Sequence, residues 1–231
     1  MQLFDDNHKP SDHRAKAEIF DLFAEVASAV ATGRRAEIID LLAQGERSVE
    51  EIATEIGQST ANTSHHLRTL AIAGLIRSRR EGTRIIYFLA GPEVEELWSA
   101  IQRATEKVRP GLFQLAEAYL GRREEMNVLS RDELMKKLSA GQAVVIDVRP
   151  EREYSSGHIQ GARSIPIDEL ESQMATLPED IPVVAYCRGR YCVFAPEAVR
   201  ILNSNGFSAF RLEDGFPEWR RAGLPIESGQ E

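Results

Sequence analysis

The spacing of apolar residues changes its period once along this chain, near residue 122. From Asp12 to Leu120 it is mostly helical. From Ser130 onward, short apolar runs of strand length alternate with helical patterns. A chain that changes period in this way is expected to form two packed cores, and 231 residues suit two modest domains. The boundaries read as a polar tail at 1–11, a helical domain at 12–120, a polar linker at 121–129 and an α/β domain at 130–227. The fold class is therefore multidomain: a mainly α half, then an α/β half with a mostly parallel sheet.

Composition narrows the function. Apolar residues make up 42% and charged residues 28%, an ordinary globular balance. No apolar run approaches the length of a membrane span, and the polar first residues lack an apolar signal segment, so a cytoplasmic protein with no membrane partner is expected. Two cysteines, Cys187 and Cys192, are too few for a disulfide framework or a structural zinc site. The net charge of −8 argues against general affinity for nucleic acid, yet it hides a basic stripe. Residues 59–84 carry Arg68, Arg77, Arg79, Arg80 and Arg84 against Glu81 alone. Phosphate contacts act over roughly 8–10 Å, so the local stripe matters more than the total.

In the first half, Ile19, Phe20, Phe23, Val26, Ala27 and Val30 share one helical face, and Gly33–Gln44 reads as a second helix. Ser48-Val49-Glu50-Glu51 has the form of a capping box and opens a short helix that Gly57 stops. Ser59 caps the next helix, which runs to about Ala73. Leu75–Arg80 and Arg84–Leu89 flank Glu81-Gly82-Thr83, a hairpin with a basic tip. A long helix from Glu93 to Tyr119 should kink or break near Pro110. The helix after Ser59 is thin and polar at its N-terminus, which suits a major groove. Ser59, Thr60, Asn62, Thr63, Ser64 and His65 are candidate DNA contacts there, with Arg68, Arg79, Arg80 and Arg84 for phosphates or the minor groove.

The run Ser64-His65-His66-Leu67-Arg68-Thr69-Leu70 followed by Ala73-Gly74-Leu75-Ile76 resembles the recognition helix and strand entry of ArsR/SmtB-type winged-helix repressors. The resemblance implies a homodimer, paired through the helices at Asp12–Val30 and Glu93–Tyr119, on double-stranded operator DNA. It departs from the metal-sensing members. Glu46–Glu51 stands where their cysteine pair would sit, and Glu93–Val108 holds no histidine. His65 and His66 are adjacent on a helix and diverge by about 100°, so they cannot chelate one ion together. No metal site and no cofactor are expected.

In the second half, the buried run Val183–Tyr186 ends in Cys187-Arg188-Gly189-Arg190-Tyr191-Cys192, and a helix follows. A thiol in such a loop faces backbone N–H groups and a positive helix end, with Arg188 and Arg190 adding charge; all of this is expected to favour the thiolate. Phosphatase-type loops need an arginine six residues after the cysteine, and here that residue is Val193. Val145-Ile146-Asp147-Val148-Arg149, Gly157-His158-Ile159-Gln160-Gly161-Ala162, Tyr186-Cys187-Arg188-Gly189 and Glu213–Trp219, in that order, resemble a rhodanese domain. The resemblance makes Cys187 the sulfur carrier, with Arg188, Gly189, Arg190, Tyr191 and Cys192 forming its loop. It implies weak sulfurtransferase activity: a sulfane donor (thiosulfate, a persulfide or a polysulfide) leaves sulfur on Cys187, and a thiol acceptor removes it. Cys192 has two readings, a small buried hydrophobe or a resolving thiol. Asp147, Arg149 and His158 read as structural. Together these features point to a transcriptional regulator, a repressor by resemblance, that senses or transfers reactive sulfur through a Cys187 persulfide. The alternatives are a sulfurtransferase that uses its winged helix for dimerisation or tethering, and a metalloid-responsive repressor with Cys187 and Cys192 as ligands.

Overall fold

The computed structural model describes residues 13–121 and 126–229. The expected tail at 1–11 and residues 122–125 of the expected linker lie outside them. Two compact units result, one holding residues 13–42 and 46–98, the other 43–45 and 99–229.

The first unit opens with α1 (His13–Val30) and α2 (Gly33–Leu42), followed by the two-residue strand β1 (Arg47–Ser48) and α3 (Val49–Glu55). The capping box at the start of α3 closes both ways. The Glu51 N–H donates to Ser48 Oγ at 3.4 Å, and the Ser48 N–H donates to the Glu51 carboxylate at 2.8 Å. Gly57, at φ +61°, takes the left-handed conformation that turns the chain toward α4 (Thr60–Ile72). Ser59 caps α4, its Oγ accepting from the Asn62 N–H at 3.3 Å. Ile38, Ile39 and Leu42 of α2, Ile52 of α3 and Leu67 and Leu70 of α4 form the buried centre of this unit.

Strands β2 (Ile76–Glu81) and β3 (Arg84–Leu89) pair antiparallel, and β1 adds to the far side of β3. Glu81 faces Arg84 across the two-residue turn, and Gly82 has the positive φ (+59°) that mirror-image hairpin turns demand. A long helix follows and breaks as Pro110 requires, into α5 (Pro92–Val108) and α6 (Gly111–Leu120). The chain passes from the first unit to the second within α5.

The second unit is a parallel α/β sandwich. Its elements are β4 (Val128–Leu129), α7 (Arg131–Ser139), β5 (Val144–Asp147), α8 (Glu151–Ser156), β6 (His158–Ile159), β7 (Arg163–Ser164) and α9 (Leu170–Gln173). A 3₁₀ turn (Met174–Thr176), β8 (Val183–Tyr186), α10 (Phe194–Ser204), β9 (Ala209–Leu212), α11 (Phe216–Arg221) and β10 (Ile226–Glu227) complete it. Five strands run parallel in the order β4-β9-β8-β5-β7, and β6 and β10 make a separate antiparallel pair. Side chains alternate between two cores, as a period of two demands. Ile146, Ala185 and Ala209 pack with Ala198, Val199 and Leu202 of α10 on one face. Val145, Val184 and Leu212 pack with Leu134 of α7 and Trp219 of α11 on the other. Helices cover both faces, which is why β8 reads as an unbroken apolar run.

One boundary differs from expectation. Residues 128–129 lie in the sheet as β4, beside β9, rather than in a linker. Strand β7 stops at Ser164, two residues before Pro166, which has no N–H to give a ladder.

Candidate functional site

All four residues of the central strand β8 are buried, and Cys187 follows at its carboxyl end, where parallel sheets open their crevices. The chain reverses at once: the Cys192 N–H donates to the Gly189 carbonyl at 3.2 Å, and Gly189 sits at φ +146°. α10 starts two residues later and aims its first amides back into the loop. Cys187 Sγ faces the Gly189 carbonyl at 3.9 Å and the Cys192 carbonyl at 4.0 Å, the contacts its S–H makes as a donor. Cys187 is 3% exposed and Cys192 half-buried, and both pack against the core beneath α10.

These contacts split the pair. Burial, and then the neighbouring Cys192, push the Cys187 thiol well above its ordinary value. The hydrogen bond from Cys187, against the cost of burial and with the help of two backbone amides, holds Cys192 below the ordinary value. Burial of Cys187 thus works against the positive loop and helix end that were expected to favour its thiolate.

The basic side chains of the loop have their own partners. Arg188 Nε donates to the carboxylate of the fully buried Glu153 at 3.0 Å, and its guanidinium lies 5.3 Å from the Phe194 ring. Arg190 is partly exposed and lies 3.6–3.8 Å from carboxylate oxygens of Asp214, Glu213 and Glu106. Tyr191 Oη donates to Glu106 on the last turns of α5, at 3.0 Å. Below the loop, the buried Asp147 carboxylate accepts from Arg149 Nη2 and from Tyr186 Oη, each at 2.6 Å. Arg149 also donates to the Gly157 carbonyl at 2.7 Å and covers the Phe216 ring at 4.4 Å. His158 stacks on Tyr154 with ring centres 3.7 Å apart. Asp147, Arg149 and His158 thus brace the floor of the site.

In the first unit, α4 and the hairpin present the basic stripe. Thr60, Asn62, Ser64, His65 and Arg68 are exposed along α4, and Arg80 and Arg84 are exposed at the hairpin tip. Arg79 is exposed too, but it ion-pairs with Glu46 and Glu81 and lies 5.4 Å from the Phe88 ring.

Sequence comparison agrees with both halves. The profile of the bacterial regulatory protein, arsR family, matches residues 32–78, and that of the rhodanese-like domain matches residues 130–222. The HTH-type transcriptional regulator Rv0324 of Mycobacterium tuberculosis is 46% identical over 214 residues, covering 93% of this chain and 94% of its own. The chain is an ArsR-family regulator with a rhodanese-like domain. The regulator is also 30% identical over 109 residues to the uncharacterized protein YqhL of Bacillus subtilis, covering 47% of this chain and 83% of that one. Among solved structures, a homodimeric winged-helix DNA-binding fragment from Mycobacterium bovis is 44% identical over 44% of this chain and 92% of its own, with a TM-score of 0.41.

Cys187, Arg188, Gly189, Arg190, Tyr191 and Cys192 lie in the loop between β8 and α10. Of the ten candidate DNA contacts, Thr63 leaves the set. It is fully buried on the inward face of α4 and cannot reach a base edge. Ser59 is exposed, with its hydroxyl engaged in the cap. Three residues at the thiol loop escaped sequence reasoning. Glu153 anchors Arg188, and Glu106 meets Tyr191. Arg211 is 8% exposed, and burial holds its pKa down against the opposing pull of a charge on Cys187. A buried charge inside a helical or strand pattern gives no periodic signal of its own. Among the described residues, no three His, Cys, Asp or Glu side chains are grouped to hold a metal ion, and no helix is long and apolar enough to cross a membrane.

Proposed function

We propose that this regulator is a cytoplasmic homodimer that binds double-stranded operator DNA and responds to reactive sulfur through a persulfide on Cys187. The observation that carries the reading is the cradle at the end of β8. A carrier sulfur needs a buried seat near N–H donors, and Cys187 is buried at the end of β8 with a second thiol in its loop and the start of α10 beside it. A thiosulfate, persulfide or polysulfide donor supplies the sulfur, and a thiol accepts it. DNA contact through Thr60, Asn62, Ser64, His65 and Arg68 of α4, with Arg80 and Arg84 of the hairpin, is supported by their shared exposure. Dimerisation through α1 is supported by its bare apolar side chains, since Ile19, Phe20, Leu22 and Phe23 are 52–64% exposed.

Operator binding by fluorescence anisotropy tests the proposal, with DNA from upstream of the regulator's own gene. The reduced protein binds tightly, and a sulfane donor weakens binding roughly tenfold, which needs only about 1.4 kcal/mol of coupling. Cys187→Ser binds as tightly and ignores the donor. Equal, donor-independent binding by both proteins would sink the sensor and leave a sulfurtransferase with a separate DNA-binding half.

A further inference from the structure

We propose that Cys192 is a resolving thiol: it attacks the Cys187 persulfide at its inner sulfur and closes a Cys187–Cys192 disulfide inside the loop, releasing sulfide. The inference rests on the persulfide reading above and assigns what ends that intermediate.

Three observations carry it. First, the two cysteines lie together: both pack into the core beneath α10, and Cys187 Sγ is 4.0 Å from the Cys192 carbonyl oxygen, so the attacking residue is already beside its target. Second, access is unequal. Cys187 is 3% exposed beneath the loop, so an outside thiol reaches at best the outer sulfur of a persulfide, whereas Cys192 meets the inner one from within the same core. Third, the Cys192 thiol is held below its ordinary value, by Cys187 first and then by the backbone at Phe194 and Arg188, which favours the form that attacks.

The chemistry balances with the donor as the oxidant. In the first step the Cys187 sulfur takes the outer sulfur of a persulfide RS–SH. The donor's S–S bond breaks, and RS⁻ leaves with one proton as RSH. In the second step the Cys192 thiolate bonds to Cys187 Sγ, the Sγ–SH bond breaks, and HS⁻ leaves with the proton that Cys192 gave up. One dithiol is oxidised by two electrons, and one sulfane sulfur is reduced to sulfide.

Intact-mass measurement of the full chain tests this. The reduced protein is treated anaerobically with glutathione persulfide, so that no other oxidant is present, and free thiols are then alkylated without reduction. The expected product is lighter than the starting protein by two hydrogen atoms, has neither cysteine alkylated, and appears with one equivalent of sulfide. Cys192→Ser and Cys192→Ala stop one sulfur atom heavier, with the persulfide on Cys187. A wild-type chain that stays one sulfur heavier, with Cys192 alkylated, overturns the resolving role and leaves the persulfide reading intact. If neither wild type nor the Cys192 variants gain sulfur or lose hydrogen, the persulfide reading itself fails and takes this inference with it. The wild-type result is decisive even if a variant fails to fold.

Discussion

At Gly215, a Cβ would meet the Gly189 nitrogen at 2.3 Å and the Arg188 carbonyl carbon at 2.5 Å. The neighbour is main chain of the thiol loop, which cannot swing aside as a long side chain can. The same approach lets the Phe216 N–H reach the Cys187 carbonyl at 3.0 Å and lets the Gly215 N–H take the Glu218 carboxylate at 3.0 Å. Gly215→Ala is therefore expected to push the loop away from its seat. Overpacking of this kind costs roughly 1–3 kcal/mol in unfolding experiments. Displacing the Cys187 cradle should also slow sulfur uptake from a persulfide donor roughly tenfold or more, because placement errors below 1 Å are felt by reacting groups. A variant with unchanged loop reactivity would mean the loop relaxes freely. The sequence contains this glycine within Glu213-Asp214-Gly215-Phe216, but only folding reveals that its neighbour is a backbone some 26 residues earlier.

On the scale of the element, α4 divides its residues by rotation. Thr63, Leu67 and Leu70 recur at helical spacing and face the core, while Asn62, Ser64, His65 and Arg68 turn outward. Thr63 Oγ1 is buried and makes no hydrogen bond. Replacing it by the isosteric valine removes an unsatisfied polar atom, so Thr63→Val is expected to leave operator affinity unchanged and to keep or raise stability to urea. Arg68→Ala should weaken binding to all DNA sequences alike and lower the salt dependence of log affinity by about 1. An equal loss of operator affinity in Thr63→Val would put Thr63 back in the interface. Caps, turn residues and the break at Pro110 are legible in the sequence, because each acts within four residues of itself. The inward turn of Thr63 is harder to read, since threonine is common on either face.

For the whole molecule, the issue is how a change at Cys187 reaches DNA. α5 runs from the first unit into the second, and its last turns carry Glu106, which accepts from Tyr191 of the thiol loop and lies 3.8 Å from Arg190. Tyr191 lies between Cys187 and Cys192 in the loop, so under the proposed chemistry this pair is where the helix would register a change. Glu106→Ala is expected to take up sulfur on Cys187 at the wild-type rate, to bind operator normally when reduced, and to lose most of the donor-induced weakening. A coupling of about 1.4 kcal/mol corresponds to the tenfold effect at stake. If the donor weakens Glu106→Ala as it does the wild type, α5 does not carry the signal through this contact.

What the sequence determined alone is what acts locally or by pattern. The change of period near residue 122 marked a helical stretch followed by an α/β one, while the two compact units divide at residue 98, inside α5. The capping box at Ser48, the hairpin glycine and the strand–loop–helix around Cys187 marked their elements, and the spaced motifs brought out the family. What only the tertiary structure decided depends on burial and on distant partners. Packing under α10 removes water from Cys187 and raises its thiol, against the positive loop and helix end that the sequence shows. Arg188 was committed to Glu153, 35 residues away, and Tyr191 to Glu106, 85 residues away. Periodicity records which face of an element is apolar. It carries no record of which charge on another element that face will meet.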